Sequence, residues 1–318
     1  MAGADMTGAA PGRTAALAVT ALVLNAFVWG VSWWPFRQLQ GHGLHPLWAT
    51  ALMYLMIVAG VLAVNFKALR GFLASPQLWL LGAAAGLTNV GFNWAVTVGD
   101  VVRVVLLFYL MPAWSVLVAW WLLGEKPTAG SLLRLALAMA GVLVVLKTPD
   151  SAWPVPQGAA DWLAIGGGLS FAVTNSLLRK CADTPGSARM LAMFGGSGLL
   201  AALAALLGMA LEVVPGPALQ AAGIPVMLGL GLAFMASNTA LLYGAARLTA
   251  GTTAIVMLTE ILFASLSSAA LGAAELTPRV LLGGSLIVLA AVLAAAAPSA
   301  KKGRTGQNRP SQSTRPGA

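Results

Sequence analysis

One acid, Glu260, falls near the centre of an apolar stretch at 251–274. As the tenth residue of that stretch it lies about 14 Å from the near end at 1.5 Å per residue. A carboxylate at that depth in hydrocarbon is costly unless it is paired, hydrated or protonated. Thr253 and Ser267 stand seven residues to either side and share its helical face. Such a group can carry a proton or hold a substrate ammonium. The structural alternative is a protonated glutamic acid that fixes helix packing through one hydrogen bond.

Other polar side chains recur at spacings that could bring them to the same place. Asn25, Trp29, Ser32 and Phe36 are separated by four, three and four residues, which puts them on one helical face. Asn89 and Asn93 are one turn apart. Tyr109, Asn175, Asn238 and Tyr243 add further amide and phenol groups inside apolar runs. Amides orient a zwitterion without fixing a charge, and aromatic faces suit apolar or cationic groups. Helix-to-helix hydrogen bonding is an equally open role for each. Pro112, in the middle of another stretch, cannot donate to the carbonyl of Phe108, so a kink or hinge is expected there.

The chemistry that is missing narrows the classes. His42 and His45 sit beside Pro46 and read as a solvated loop rather than a metal site. A single cysteine, Cys181, leaves no disulfide framework or thiolate cluster. No G-x-x-x-x-G-K-[ST] sequence is present, and Gly166-Gly167-Gly168 lies in an apolar run with no lysine after it. Neither a metal nor a cofactor is expected. The nine acids are scattered, which disfavours the alternative of a polytopic membrane enzyme acting on lipid-linked substrates. Nothing suggests the filter of a channel.

The elements that must carry these residues are membrane spans. Hydrophobic residues make up 59% of the 318 and charged residues only 8%, a composition that fits lipid and not water. Hydropathy places ten spans, at 14–36, 46–66, 77–98, 101–124, 130–146, 161–180, 189–211, 224–248, 251–274 and 278–297, with prolines mostly in the gaps or first turns. Trp48, Trp79, Trp153 and Trp162 near span ends read as interfacial anchors. Gly166-Gly167-Gly168, Gly195-Gly196 with Gly198, and Gly283-Gly284 permit close helix approach. Short joins near Asp100 and Ala250 imply tight helical hairpins.

Basic residues set the direction. One side receives Arg13, Lys67, Arg70, Lys126, Arg134, Arg179, Lys180, Arg189, Arg247 and the tail residues Lys301, Lys302, Arg304, Arg309 and Arg315. The other receives only Arg37, Arg103, Lys147 and Arg279. The positive-inside rule therefore puts both termini in the cytoplasm. The net charge of +9 resides largely in the tail, which has no aromatic residues to stack bases, so anionic headgroups rather than nucleic acid are its expected partner. Residues 1–13 lack a cleavable signal and form a short leader.

The chain divides into that leader, a first five-helix repeat at 14–147, a linker at 148–160, a second repeat at 161–297 and a disordered basic tail at 298–318. An odd number of spans per repeat makes the second enter from the opposite side. The expected fold is all-α, with ten transmembrane helices as two inverted five-helix repeats. Phe27 to Arg37 lines up with Leu169 to Arg179, and Ala95, Ser115, Ala119 and Glu125 match Ala245, Ser265, Ala269 and Glu275 at a constant offset.

Trp29-Gly30 with Ser32, Pro112 followed by Gly124-Glu125, and Glu275 in the corresponding place resemble the drug/metabolite transporter superfamily, in particular its ten-helix EamA branch. The resemblance runs over residues 14–297. It implies a multi-pass carrier of the bacterial inner membrane, commonly an exporter of amino acids and other small metabolites, with a central cavity between the halves. A small-molecule substrate, the bilayer and, if transport is gradient-driven, protons are the partners implied; the unit is a monomer or homodimer. The sequence does not choose between proton coupling and facilitated diffusion. The position matching Pro112 is Leu262, so equal flexing of the two halves is not implied.

Overall fold

The computed structural model describes residues 11–99, 101–146, 156–273 and 276–297. Asp100, Lys147, Trp153, Glu275, most of the leader and linker, and the basic tail lie outside the described residues. All regular structure among the described residues is helical: α1 (Pro11–Val31), α2 (Trp33–Gly41), α3 (Pro46–Val64), α4 (Lys67–Leu73), α5 (Pro76–Val98), α6 (Val101–Phe108), α7 (Met111–Leu123), α8 (Ala129–Leu146), α9 (Ala159–Lys180), α10 (Gly186–Ala210), α11 (Ile224–Ala245), α12 (Ala250–Met257), α13 (Glu260–Ala270) and α14 (Pro278–Ala296), with one 3₁₀ turn at Ala221–Gly223.

Helix starts follow from local chemistry. Proline occupies the first turn of α3, α5, α7, α11 and α14, where its missing N–H costs nothing. The Thr249 and Thr277 hydroxyls accept from the backbone N–H groups of Thr252 and Val280, capping α12 and α14. Gly124, at φ +69°, ends α7 and lets the Glu125 N–H reach back to the Ala119 carbonyl at 3.2 Å.

Eight helical stretches are long and apolar enough to cross a hydrocarbon layer: 13–41, 46–64, 103–123, 129–146, 186–210, 221–245, 250–270 and 278–296. α5 and α9 are long enough but less apolar, because Thr88, Asn89 and Asn93 on one and Thr174, Asn175 and Ser176 on the other face protein. The first stretch continues past the expected residue 36 to Gly41, and a short α4, absent from the sequence reading, fills the join after α3.

Besides the interruption at Ser32 between α1 and α2, two expected spans are broken near their middles. Between α6 and α7, Leu110 N–H bonds to Leu107 and Ala113 N–H to Leu110, a tightened 3₁₀-like turn. Pro112 leaves the Phe108 carbonyl without its helical donor, as anticipated. The second break, between α12 and α13, has no proline. There Leu258 N–H bonds to Ile255, Thr259 N–H to Val256 and Leu262 N–H to Thr259, while the Thr259 hydroxyl donates to the Val256 carbonyl at 2.8 Å. A threonine competing for backbone does what proline does elsewhere.

Glycines let the halves approach. A Cβ on Gly91 in α5 would lie 2.8 Å from the Leu163 carbonyl and 2.9 Å from Gly167 Cα in α9; one on Gly141 in α8 would lie 2.7 Å from the Gly283 carbonyl in α14. Three helix pairs run antiparallel. Along α3 and α10, Leu47 clusters with Ala204 and Ala205, Leu55 packs on Gly198, Val58 on Gly195, and the Asn65 amide donates to Ser187 Oγ. Along α8 and α14, Gly141 meets Ile287 and Val145 meets Gly283. The broken pair does likewise, Tyr109 meeting Glu260 while Val116 meets Gly251.

Candidate functional site

The two helix breaks meet. The Tyr109 hydroxyl, at the end of α6, donates to Glu260 Oε1, at the start of α13, at 3.0 Å. Each break also turns its backbone toward a glycine of the other half. A Cβ on Gly168 would lie 2.6 Å from the Phe108 carbonyl, and one on Gly30 would lie 2.6 Å from the Glu260 carbonyl. Both contacts fix the broken helices against α9 and α1 at the depth where Glu260 stands.

A cavity of about 90 Å³ opens beside this pair, room for several waters or a small solute. Seven of the residues singled out by sequence line it: Asn25, Trp29, Asn89, Asn93, Tyr109, Asn238 and Glu260. Their amides are held by protein. The Asn25 amide donates to Ser237 Oγ and its carbonyl at 2.6 and 3.0 Å, and the Asn89 amide to the Ala85 carbonyl and Ser197 Oγ. Asn93 donates to Thr50 Oγ1, and Asn238 to the Phe234 carbonyl. Asn25 Oδ1 is buried without a partner.

Three sequence candidates fall elsewhere. Ser32 donates to the Trp29 carbonyl at 2.7 Å and marks the junction of α1 and α2. Asn175 is buried outside the cavity wall, and neither amide atom has a hydrogen-bond partner. Tyr243 carries the Arg247 guanidinium over its ring at 3.7 Å. Pro112 sits immediately beyond the first break, next to Met111 of the cavity wall.

The sequence reading missed the aromatic wall. Tyr54, Phe92, Phe108, Phe171 and Phe194 line the cavity, with Phe92–Phe108 centroids 4.8 Å apart and Tyr54–Phe194 at 5.1 Å. A signal existed: Phe92 shares a face with Asn89 and Asn93, and Phe171 lies three residues before Thr174 on α9. Ser197 had no such marker, standing among glycines and alanines of α10.

One end of the assembly is tied by charge. Arg179, at the end of α9, pairs with Glu125 at 2.8 Å and also donates to the Leu248 carbonyl. Glu125 further accepts from the backbone N–H of Ala250. The ends of α7 and α9 and the turn before α12 are thereby joined. Burial lifts the Glu125 carboxyl above the usual glutamate range, with Arg179 and the Ala250 N–H pulling the other way. At the far end of α9, Arg103 pairs with Asp161 at 2.8 Å, and Asp161 also accepts from the Gln157 N–H.

The histidines have a structural use. His45 Nδ1 accepts from the Leu47 N–H and caps α3, and burial holds its imidazole below the ordinary pKa. Among the described residues, no group of histidine, cysteine and acidic side chains is arranged to hold a metal ion. Trp79 and Trp162 are exposed near helix starts, where anchors were expected.

The chain has counterparts among known proteins. Residues 16–147 match the EamA-like transporter family. The match runs from within α1 to the end of α8 and agrees with the resemblance carried by Trp29-Gly30, Pro112 and Gly124-Glu125. No curated protein matches the sequence. A solved protein crystal structure is 18% identical with a TM-score of 0.71, over 87% of this chain and 96% of its own. The shared fold therefore extends beyond the EamA-like stretch into the second half of the chain.

Proposed function

We propose that this chain is a secondary carrier of the drug/metabolite class that moves small metabolites, amino acids among the candidates, out of the cell by alternating access. The observation that carries the reading is the meeting of two mid-span helix breaks at Tyr109 and Glu260 beside a cavity. Discontinuous helices around a central site are what carriers use to bind a solute at mid-membrane. The family match over residues 16–147 supports transport as the activity.

Ten crossings in two inverted repeats are part of this proposal. Helices in corresponding positions, α3 with α10, α8 with α14, and the broken pair, pack antiparallel to each other, as equivalent elements of two oppositely inserted halves must. The neighbour relations exchange in the same way: α5 packs on α9 as α11 packs on α1, and α7 on α9 as α13 on α1. Such a pair of halves can rock about a fixed site. Glu260, the one carboxylate in the cavity wall among the described residues, is the proposed coupling group, alternately holding a proton and the solute.

The test is counterflow in liposomes containing the purified chain and a panel of labelled amino acids and small metabolites. Accumulation of a labelled solute against an unlabelled internal pool, without ATP, supports the carrier. Absence of exchange for every solute in a broad panel removes it.

A further inference from the structure

We propose that the cavity takes an organic ammonium, a singly charged amine with an apolar body and no carboxylate of its own. This rests on the carrier reading and narrows the solute that the site accepts. Among the described residues, the wall holds one carboxylate, Glu260, and no lysine, arginine or histidine. A zwitterion or an anion would bring a carboxylate into a desolvated site that already contains one, with no cation to receive it, a combination that burial penalises heavily.

The hydrogen-bonding balance points the same way. Both amide protons of Asn25 and both of Asn89 are directed at protein acceptors. The Thr88 and Thr174 hydroxyls donate to the carbonyls of Ala84 and Ser170. The Tyr109 hydroxyl is directed at Glu260. These donors are engaged with protein acceptors. An ammonium supplies N–H donors to the Glu260 carboxylate; a carboxylate supplies only more acceptors. The rings of Trp29, Tyr54, Phe92, Phe108 and Phe171 complete the wall. Their faces attract a cation and accept an apolar body.

The experiment uses three matched probes on the full-length protein, in detergent for binding and in liposomes for counterflow. 2-Phenylethylamine is the cation, phenylalanine is the same body with a carboxylate added, and 3-phenylpropionate is the anion alone. The amine is expected to bind and exchange, phenylalanine to bind roughly tenfold more weakly or worse, and the propionate not at all. Glu260→Gln should weaken the amine by about tenfold or more, while Glu260→Asp, which keeps the charge, retains measurable binding. Unchanged elution and thermal unfolding of the Gln variant separate lost charge from lost fold. If the Gln variant unfolds, the three-probe ranking on the unmodified chain decides alone.

Phenylalanine handled as well as the amine, or no binding of any of the three, overturns the ammonium assignment while the carrier reading stands on its broader panel. Amine binding without exchange of any solute keeps the assignment and removes the carrier.

Discussion

Arg179 and Glu125 stand 2.8 Å apart and tie the last turn of one half's α9 to the residue just past α7 of the other half. Two features of the sequence make that contact. Gly124 adopts a left-handed conformation that stops α7, and the acid placed directly after it turns onto the guanidinium. The only cysteine of the chain, Cys181, lies two residues beyond Arg179 and is buried against Gln77 at the start of α5. The thiol therefore reports on whether this end is shut. Arg179→Ala, which leaves the Glu125 carboxylate unpaired, is predicted to raise the rate of Cys181 alkylation by a membrane-permeant maleimide about fivefold, the shift expected from losing a half-buried pair contributing about 1 kcal/mol. Unchanged labelling in that variant would mean that the pair does not hold this end closed.

The same pair should respond to pH in a definite direction. Burial dominates at Glu125 and raises its pKa in the native protein, so the carboxyl takes up its proton at a higher pH than an ordinary glutamate as the medium is acidified. The ion pair is then lost early in an acid titration. For stability the sign is opposite: the burial penalty is felt above the native pKa and is relieved as pH falls through it. Labelling of Cys181, corrected for the thiolate fraction, is predicted to fall on mild acidification in the native chain, because proton uptake at a raised pKa favours the closed state over an open one in which Glu125 is solvated. The Glu125→Gln variant, which lacks the titrating group, should show no such dependence on pH.

Glu260→Gln should abolish pH-dependent transport while leaving the protein folded and inserted. The amide oxygen can still accept from the Tyr109 hydroxyl, so the join between the two breaks survives. What is lost is the proton-carrying group. Counterflow of solute, which needs no net proton movement, separates loss of binding from loss of coupling. Undiminished proton-driven flux in this variant would remove Glu260 from the mechanism.

Steric demands distinguish glycines that look alike in sequence. A Cβ at Gly30 would meet the Glu260 carbonyl at 2.6 Å and Phe263 Cβ at 2.7 Å, whereas one at Gly166 meets nothing within 4 Å. Gly30→Ala is predicted to cost about 1–3 kcal/mol, since backbone and a packed ring must yield. Gly166→Ala should be neutral or slightly stabilising, because alanine is the better helix former. Thermal unfolding in detergent measures both, and equal behaviour would contradict the packing at the second break.

The apolar runs and proline punctuation made the long helices legible, and inward-facing amides at helical spacing marked part of the cavity wall. Glu260 stood out because an acid in that setting has few bland explanations. The second helix break was hidden, since Thr259 achieves with a hydroxyl what a proline announces by its identity. Tyr54 and Phe194 were equally hidden: aromatic residues are ordinary in membrane spans, and only packing tells a cavity wall from a lipid face. The pairing of Arg179 with Glu125 joins positions 54 residues apart, and no local pattern signals such a contact.

The antiparallel packing of α3 on α10 carries a topological consequence. Leu47 lies by Ala204 and Ala205, while Asn65 bonds to Ser187, so the start of α3 and the end of α10 share one end of the molecule. The Gln220 N–H, which bonds to the His42 carbonyl at 3.1 Å, places the joins before α3 and after α10 together. The basic residues Lys67, Arg70, Lys180 and Arg189 lie at the other end, with both termini assigned to that side by charge. Single cysteines in a Cys181→Ser background are predicted to react with an impermeant reagent from outside at position 41 or 216, and only after permeabilisation at position 66 or 186. A C-terminal fusion to a reporter enzyme active only outside the cytoplasm should be silent. The first two sites reacting on opposite sides would break the antiparallel arrangement, and an active C-terminal reporter would reverse the orientation.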